Sequence, residues 1–297
     1  MSERMKLEGS FVALVTPLAD GEIDWDAFGR LIDRQIESGT QGLVPCGTTG
    51  ESPTLSHEEH DKVVEFTVDR AAGRVPVIAG TGSNSTEEAV RLTRHAAEAG
   101  ADACLVVNPY YNKPTQQGMY EHVARLAEVE LPIVLYNIPG RTAVALKPDT
   151  IIRMAEDIDM VVGVKEATGD PDVASAISAG CDLSILSGDD SLTLPLAGAG
   201  GRGVISVLAN LLPEDLRKLC DSIVAGDLKA ALQQHLKLFG LFRAMFLETN
   251  PIPIKAAMAM TGHIRNELRL PLTPLSEELR PTLAKKLRDF GLEVRDS

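Results

Sequence analysis

Eight short apolar runs, each bounded by glycine or proline, recur along the 297-residue chain and alternate with longer segments of helical periodicity. The runs cover 11–15, 42–45, 75–79, 103–107, 133–136, 161–164, 183–186 and 203–207. Helical patterns lie between them at 24–38, 57–71, 86–99, 116–129, 148–156, 171–179 and 190–198. The runs are apolar throughout instead of alternating, which is the mark of parallel strands covered on both faces. Eight parallel strands joined by right-handed helical crossovers close into an α/β fold, the (β/α)8 TIM barrel. An open doubly wound sheet would call for a Gly-rich nucleotide loop after its first strand. Here that strand leads into Val15-Thr16-Pro17, so the barrel is preferred. Beyond about residue 212 the strands stop, and 214–224, 227–247, 251–261 and 275–289 read as helices, with Pro213, Pro251 and Pro274 near their starts. The expected organisation is a barrel over 1–225 and a C-terminal helical extension over 226–297, packed on it as one compact unit. One of the late helices is expected to cover the last strand.

Composition narrows the partners. At about 150 residues per domain the length would allow two domains, but a barrel commonly takes about 250 residues as one. The 29 Lys plus Arg against 42 Asp plus Glu leave a net charge of −13, which disfavours nucleic acid and anionic membranes. Aromatic residues, at 4%, leave little for stacking bases. Cys46, Cys104, Cys181 and Cys220 are widely spaced with no CxxC pair, and read as reduced thiols of a cytoplasmic protein. The segment 1–8 carries Arg4 and Lys6, but the apolar run 11–15 after it is too short for a signal-peptide core or a membrane span. Without such a signal, the sequon Asn84-Ser85-Thr86 carries no meaning. Helix starts are signalled by Ser56 with Glu59, Ser85 with Glu88, and Thr115.

Two familiar patterns fail on context. Gly198-Ala199-Gly200-Gly201-Arg202-Gly203 fits GxGxxG by letter, yet it follows a helix and leads into a strand, the reverse of a dinucleotide loop. His57-Glu58-Glu59-His60 spaces its histidines i, i+3, not the i, i+4 of a zinc helix, and reads better as a surface helix start. His95, His122, His235 and His263 stand in separate segments, so no metal is assigned.

The informative residues stand where strands end, the face on which barrels place catalysis. Gly47-Thr48-Thr49-Gly50-Glu51-Ser52 follows the second strand and offers two hydroxyls and exposed N–H groups, a cradle for a carboxylate or else a plain turn. Lys165 ends the sixth run. A lysine drawn into a barrel mouth is desolvated, which favours the neutral, nucleophilic amine and makes it a Schiff-base candidate. The bland reading is a salt bridge to Glu166, but neighbours on a strand face opposite ways. Lys255, in Pro251-Ile252-Pro253-Ile254-Lys255, ranks second because it lies in the extension, away from the expected mouth. Tyr136 ends the fifth run and is placed to shuttle protons, and Arg141 beyond it is suited to fork onto a carboxylate. Tyr110 and Tyr111 sit in a polar loop with Asn112 and Lys113, not in a packing pattern.

These motifs together resemble the dihydrodipicolinate synthase family of pyruvate Schiff-base aldolases, in the N-acetylneuraminate lyase superfamily. The resemblance rests on 47–52, on Asn108-Pro109-Tyr110-Tyr111-Asn112-Lys113-Pro114, on Tyr136-Asn137-Ile138-Pro139-Gly140-Arg141-Thr142 and on Val164-Lys165-Glu166. It continues through Ser187-Gly188-Asp189-Asp190, 203–207, Asn250-Pro251-Ile252-Pro253-Ile254-Lys255 and Leu270-Pro271-Leu272-Thr273-Pro274, nearly the whole chain in order. It implies a Schiff base between Lys165 and pyruvate, whose enamine attacks L-aspartate 4-semialdehyde before cyclisation, with no metal or organic cofactor. It further implies a proton relay of Thr48, Tyr136 and Tyr111, the last reaching into a neighbouring subunit's site. Thr49 and the backbone at Ile205 look like the pyruvate carboxylate site, Arg141 the semialdehyde anchor, and Gly188 a further substrate-binding residue. A homotetramer, as a dimer of dimers, is implied too. In lysine-inhibited relatives the end product binds at a dimer interface, through residue types present here as Ser52, His57, His60, Asn84, Glu88 and Tyr110. Pro53 beside Ser52 departs from the expected loop. Sister aldolases of the N-acetylneuraminate lyase or 2-keto-3-deoxygluconate type share the lysine and tyrosine, and a non-catalytic binding barrel is the remote alternative. Paired Thr48-Thr49 and Arg141 favour the synthase.

Overall fold

Which way each strand residue faces decides what the barrel can hold. The computed structural model describes residues 4–295; residues 1–3 of the 1–8 segment and 296–297 of the extension lie outside the described residues. All eight apolar runs form strands: β1 (Gly9–Ala13), β2 (Gly42–Val44), β3 (Ile78–Gly80), β4 (Ala103–Val107), β5 (Ile133–Asn137), β6 (Val161–Glu166), β7 (Ser184–Ser187) and β8 (Gly203–Ser206). They pair in parallel in the order β2-β1-β8-β7-β6-β5-β4-β3, and a Leu43–Val77 bridge joins β2 to β3 and closes the ring. The fold is the (β/α)8 TIM barrel.

Phe11, Val44, Ile78, Leu105, Val134 and Leu186 pack inside the barrel, whereas Val12, Leu43, Cys104, Leu135, Val164 and Ile185 pack outward against the helices. Both faces are apolar, which is why no alternation shows in the sequence. Gly42 lies opposite Phe11 in the ladder, and a Cβ there would come within 2.4 Å of the Phe11 ring. One irregularity places the future site. Ile133 pairs with Val161 but Val134 pairs with Gly163, so β6 carries one extra residue at Val162. A bulge of this kind reverses the facing of every later residue. It turns Lys165 inward, opposite inward-facing Tyr136; without it Lys165 would face the helices.

The covering helices are α1 (Trp25–Glu37), α2 (His57–Ala71), α3 (Thr86–Glu98), α4 (Gln116–Ala127), α5 (Pro148–Asp157), α6 (Pro171–Gly180), α7 (Thr193–Ala197) and α8 (Pro213–Val224). Ser56 and Glu59 form the reciprocal capping box at α2, and Thr115 caps α4. Ser85 makes no side-chain cap at α3, and no capping box forms: the Ser85 N–H donates to the Ser83 hydroxyl, and the Glu88 carboxylate is taken by His57 and that same hydroxyl. Helix α8 packs on β1 and β8 and is the eighth barrel helix. Then come α9 (Leu228–Ala244), α10 (Ile252–Met260) and α11 (Arg280–Phe290). The last starts later than the sequence pattern implies, since Glu248 takes the N–H and hydroxyl of Ser276 and holds that stretch as a turn. The GxGxxG letters form the turn from α7 into β8, where a Cβ on Gly203 would lie 2.0 Å from the Gly9 carbonyl oxygen. All four cysteines are free; Cys46, Cys104 and Cys220 are buried. Among the described residues no helix is long and apolar enough to cross a membrane.

Candidate active site

The bulge in β6 and the register of β5 bring an amine and a phenol together. Lys165 and Tyr136 are ladder partners, each 5% exposed, with Nζ 4.3 Å from the centre of the phenol ring. Gly188, at the end of β7, leaves the room that the lysine occupies: a Cβ there would lie 3.3 Å from Lys165 Cε and 2.6 Å from Ala167 Cβ. Glu166 faces the other way and does not pair with Lys165. Its carboxylate accepts from Asn137 Nδ2 (3.1 Å) and the Thr168 N–H (2.6 Å), and burial pushes its pKa up. Asn137 also donates to the Leu146 carbonyl (3.1 Å) and accepts from the Leu146 N–H (3.0 Å), fastening the loop that carries Arg141. Behind β8, buried Asp190 accepts the N–H groups of Val207 (3.1 Å) and Leu208 (2.9 Å) and fixes the turn after Ile205. Burial raises its pKa to about 6.

Two residues that are not glycine are left-handed here, Cys46 just before the Gly47–Ser52 loop and Glu51 within it, both at φ +55°. Each such residue costs about 1–2 kcal/mol unless its surroundings hold it, a strain that clusters at functional sites. Thr49 is buried, and its hydroxyl accepts from Asn250 Nδ2 at 3.0 Å. The Asn250 carbonyl in turn accepts from Arg141 Nη2 at 2.9 Å. Asn250 therefore couples the two residues expected to hold the two substrate carboxylates. Its neighbours in the sequence give no sign of this role, since Asn250 stands 201 residues from Thr49. Lys255 needs a correction. It does not lie away from the mouth: helix α10 sends its amine under the loops after β1 and β2, where it meets the Thr16 carbonyl and Glu51.

A cavity of about 390 Å³ is lined by Gly47, Thr48, Tyr136 and Arg141, and also by Ser52, His57, His60, Glu88 and Tyr110. Two of the catalytic candidates, Thr48 and Tyr136, thus share one opening with most of the expected effector residues, while Lys165 is not part of this lining and stands behind Tyr136 as its ladder partner. Asn84 is not in this lining; its carbonyl accepts from Asn112 Nδ2 at 2.8 Å. Tyr111 is not in it either: it is left-handed (φ +73°) and 90% exposed. Within the lining, His57 Nε2 lies 2.9 Å from Glu88, and the Ser83 hydroxyl also donates to Glu88. That hydroxyl first, and then His57, hold the Glu88 carboxyl below the usual range. The surface reading fits His57 and fails for His60. His60 belongs to the buried face of α2 with Val63, Val64 and Thr67, and its Nε2 is 2.9 Å from the Gly80 carbonyl. Burial pulls its pKa down. The i, i+3 spacing has sent the two histidines to different partners, and no set of three His, Cys, Asp or Glu among the described residues is placed to hold a metal.

A barrel with an amine and a phenol paired at its C-terminal mouth, the phenol lining a cavity there, defines a barrel enzyme with an amine nucleophile to hand. The chain belongs to the dihydrodipicolinate synthetase family, whose profile matches residues 6–290. It is 54% identical over 288 residues to a 4-hydroxy-tetrahydrodipicolinate synthase of Syntrophus aciditrophicus (strain SB), covering 96% of this chain and 99% of that one. The chloride-inhibited dihydrodipicolinate synthase from Acinetobacter baumannii, solved with pyruvate, superposes with a TM-score of 0.94 at 46% identity, over 96% of this chain and 99% of that one. The enzyme from Cyanidioschyzon merolae with lysine bound gives 0.93 at 38% identity, over 96% and 98%.

Proposed function

We propose that this chain condenses pyruvate with L-aspartate 4-semialdehyde on Lys165 to give 4-hydroxy-tetrahydrodipicolinate, the first committed step of the diaminopimelate and lysine pathway. One observation carries the reading: the Lys165 amine stands against the Tyr136 ring at the barrel mouth. The neutral amine adds to the pyruvate carbonyl, and the carbinolamine hydroxyl takes a proton from the relay and leaves as water, giving a protonated imine. That imine draws electrons from the methyl carbon, so a proton leaves and an enamine forms without a metal or organic cofactor. The enamine carbon attacks the aldehyde, forming the new C–C bond. The semialdehyde's own amine then displaces Lys165 and closes the ring. A lone phenol, with a pKa near 10, is a poor base at neutral pH, which is the reason for a relay of Tyr136, Thr48 and Tyr111. Thr49 and Ile205 are assigned to the pyruvate carboxylate, and Gly188 to substrate binding. The test is an assay with pyruvate plus the semialdehyde beside pyruvate plus N-acetylmannosamine; faster turnover of the sugar would reject the synthase.

Arg141 is assigned to the semialdehyde carboxylate, a charge-assisted contact worth roughly 1.5–3 kcal/mol. Steady-state kinetics of Arg141→Ala should therefore show KM for the semialdehyde raised about tenfold or more, with a smaller effect on pyruvate. Equal changes for both substrates would mean a general structural role.

The same reading includes a homotetramer, a dimer of dimers. Tyr111 is 90% exposed, which suits a residue that completes its relay in the site of a second copy. A second apolar face runs along α9, where Leu228, Leu232, Leu236 and Phe239 are exposed at helical spacing. The division into a barrel over 1–225 and an extension over 226–297 is part of this reading, as is a cytoplasmic location, which the free cysteines suit.

L-lysine is assigned to Ser52, His57, His60, Glu88 and Tyr110 in the cavity lining, together with Asn84, which lies outside that lining. Glu88 would take its α-ammonium in competition with His57 and Ser83. Tyr110 adjoins Tyr111, so binding would disturb the relay without touching the substrates. Inhibition should be partial and non-competitive towards pyruvate, and Glu88→Ala should abolish it. Calorimetry showing no lysine binding up to tens of millimolar, an affinity below about 3 kcal/mol, would remove this assignment.

A further inference from the structure

Lys255 comes from the helical extension, is fully buried, and is used by no step above. A lysine at that depth keeps its charge only with a partner. Its Nζ lies 2.5 Å from Glu51 Oε1 and donates to the Thr16 carbonyl at 3.0 Å. Burial pulls its pKa down and Glu51 acts against that shift. Glu51 is also buried, and its left-handed backbone at φ +55° is one that a glutamate adopts only when held. From there its N–H donates to the Thr48 carbonyl at 3.2 Å, and the Thr16 hydroxyl donates to the Gly50 carbonyl at 2.8 Å. Both arms of the lysine thus act on the loop carrying Thr48 and Thr49. Neither contacts the loop carrying Arg141, which is fastened through Asn137 and reaches the Thr49 loop indirectly, through Asn250. Apolar residues of similar size commonly stabilise an interior as well as a buried ion pair does, so stability alone does not call for charges here.

We propose that the Lys255–Glu51 pair is a positioning clamp that holds the Thr48–Thr49 loop in the geometry that receives pyruvate. The proposal rests on assigning Thr48 and Thr49 to the pyruvate half of the reaction.

The test compares Lys255→Met, Glu51→Gln and the double variant Lys255→Met/Glu51→Gln in the full chain. Thermal unfolding is measured, together with KM for each substrate and the rate of borohydride trapping with pyruvate. The double variant removes both charges and keeps the shape, so it remains informative if Lys255→Met does not fold. It should regain a near wild-type Tm yet keep a pyruvate KM raised about tenfold and slow trapping, with KM for the semialdehyde within about twofold of wild type. Recovery of pyruvate kinetics together with Tm, or equal changes in both KM values, would overturn the clamp. Thr49→Val separates the clamp from the assignment beneath it. Impaired trapping in Thr49→Val with normal trapping in the double variant overturns the clamp alone, whereas normal trapping in Thr49→Val overturns the assignment.

Discussion

Lys165→Ala is expected to lower kcat by roughly five orders of magnitude or more, to background, while the chain still folds. The size of the effect follows from chemistry. Without the amine there is no imine, and without the imine the pyruvate methyl group has no electron sink. What remains is binding and positioning by the rest of the cavity. The fold should survive because Lys165 makes no buried ion pair: Glu166, its neighbour, is satisfied by Asn137 and Thr168. Circular dichroism beside steady-state kinetics checks both halves. Substantial residual turnover in a pure preparation would mean that another group carries the reaction.

Tyr136→Phe should lower kcat by about 10²- to 10⁴-fold, the range for loss of a positioned acid–base group. The substitution keeps the ring against which the Lys165 amine rests, so pyruvate binding should change far less than turnover. The expected signature is slow imine formation with a KM for pyruvate close to that of the parent chain. A fall in kcat of less than about threefold would leave the phenol with a packing role only.

Much of this was legible in the sequence, for identifiable reasons. Strands buried on both faces leave continuous apolar runs, so all eight could be placed from composition within short windows. Lys165, Tyr136 and the 47–52 loop were findable because a polar group directly after such a run can stand only at a strand end. Facing was not legible. The bulge at Val162 adds no unusual letter to Val161-Val162-Gly163-Val164, yet it turns Lys165 inward. Long-range polar partners were hidden as well. Nothing local to Asn250 or Lys255 reveals that they meet Thr49 and Glu51, because those contacts exist only once the extension folds back over the mouth. That is also why Lys255 looked remote. His60 misled in the opposite direction, as its polarity suggested a surface although the i, i+3 and i, i+4 positions of α2 turn it inward.

The most direct test is mass mapping of the site at which borohydride traps pyruvate. The expected result is one reduced pyruvate adduct per chain, on the peptide containing Lys165, absent from Lys165→Ala. An adduct on Lys255, or turnover of both substrates with no trapped lysine, would contradict a Schiff base at the mouth of this barrel.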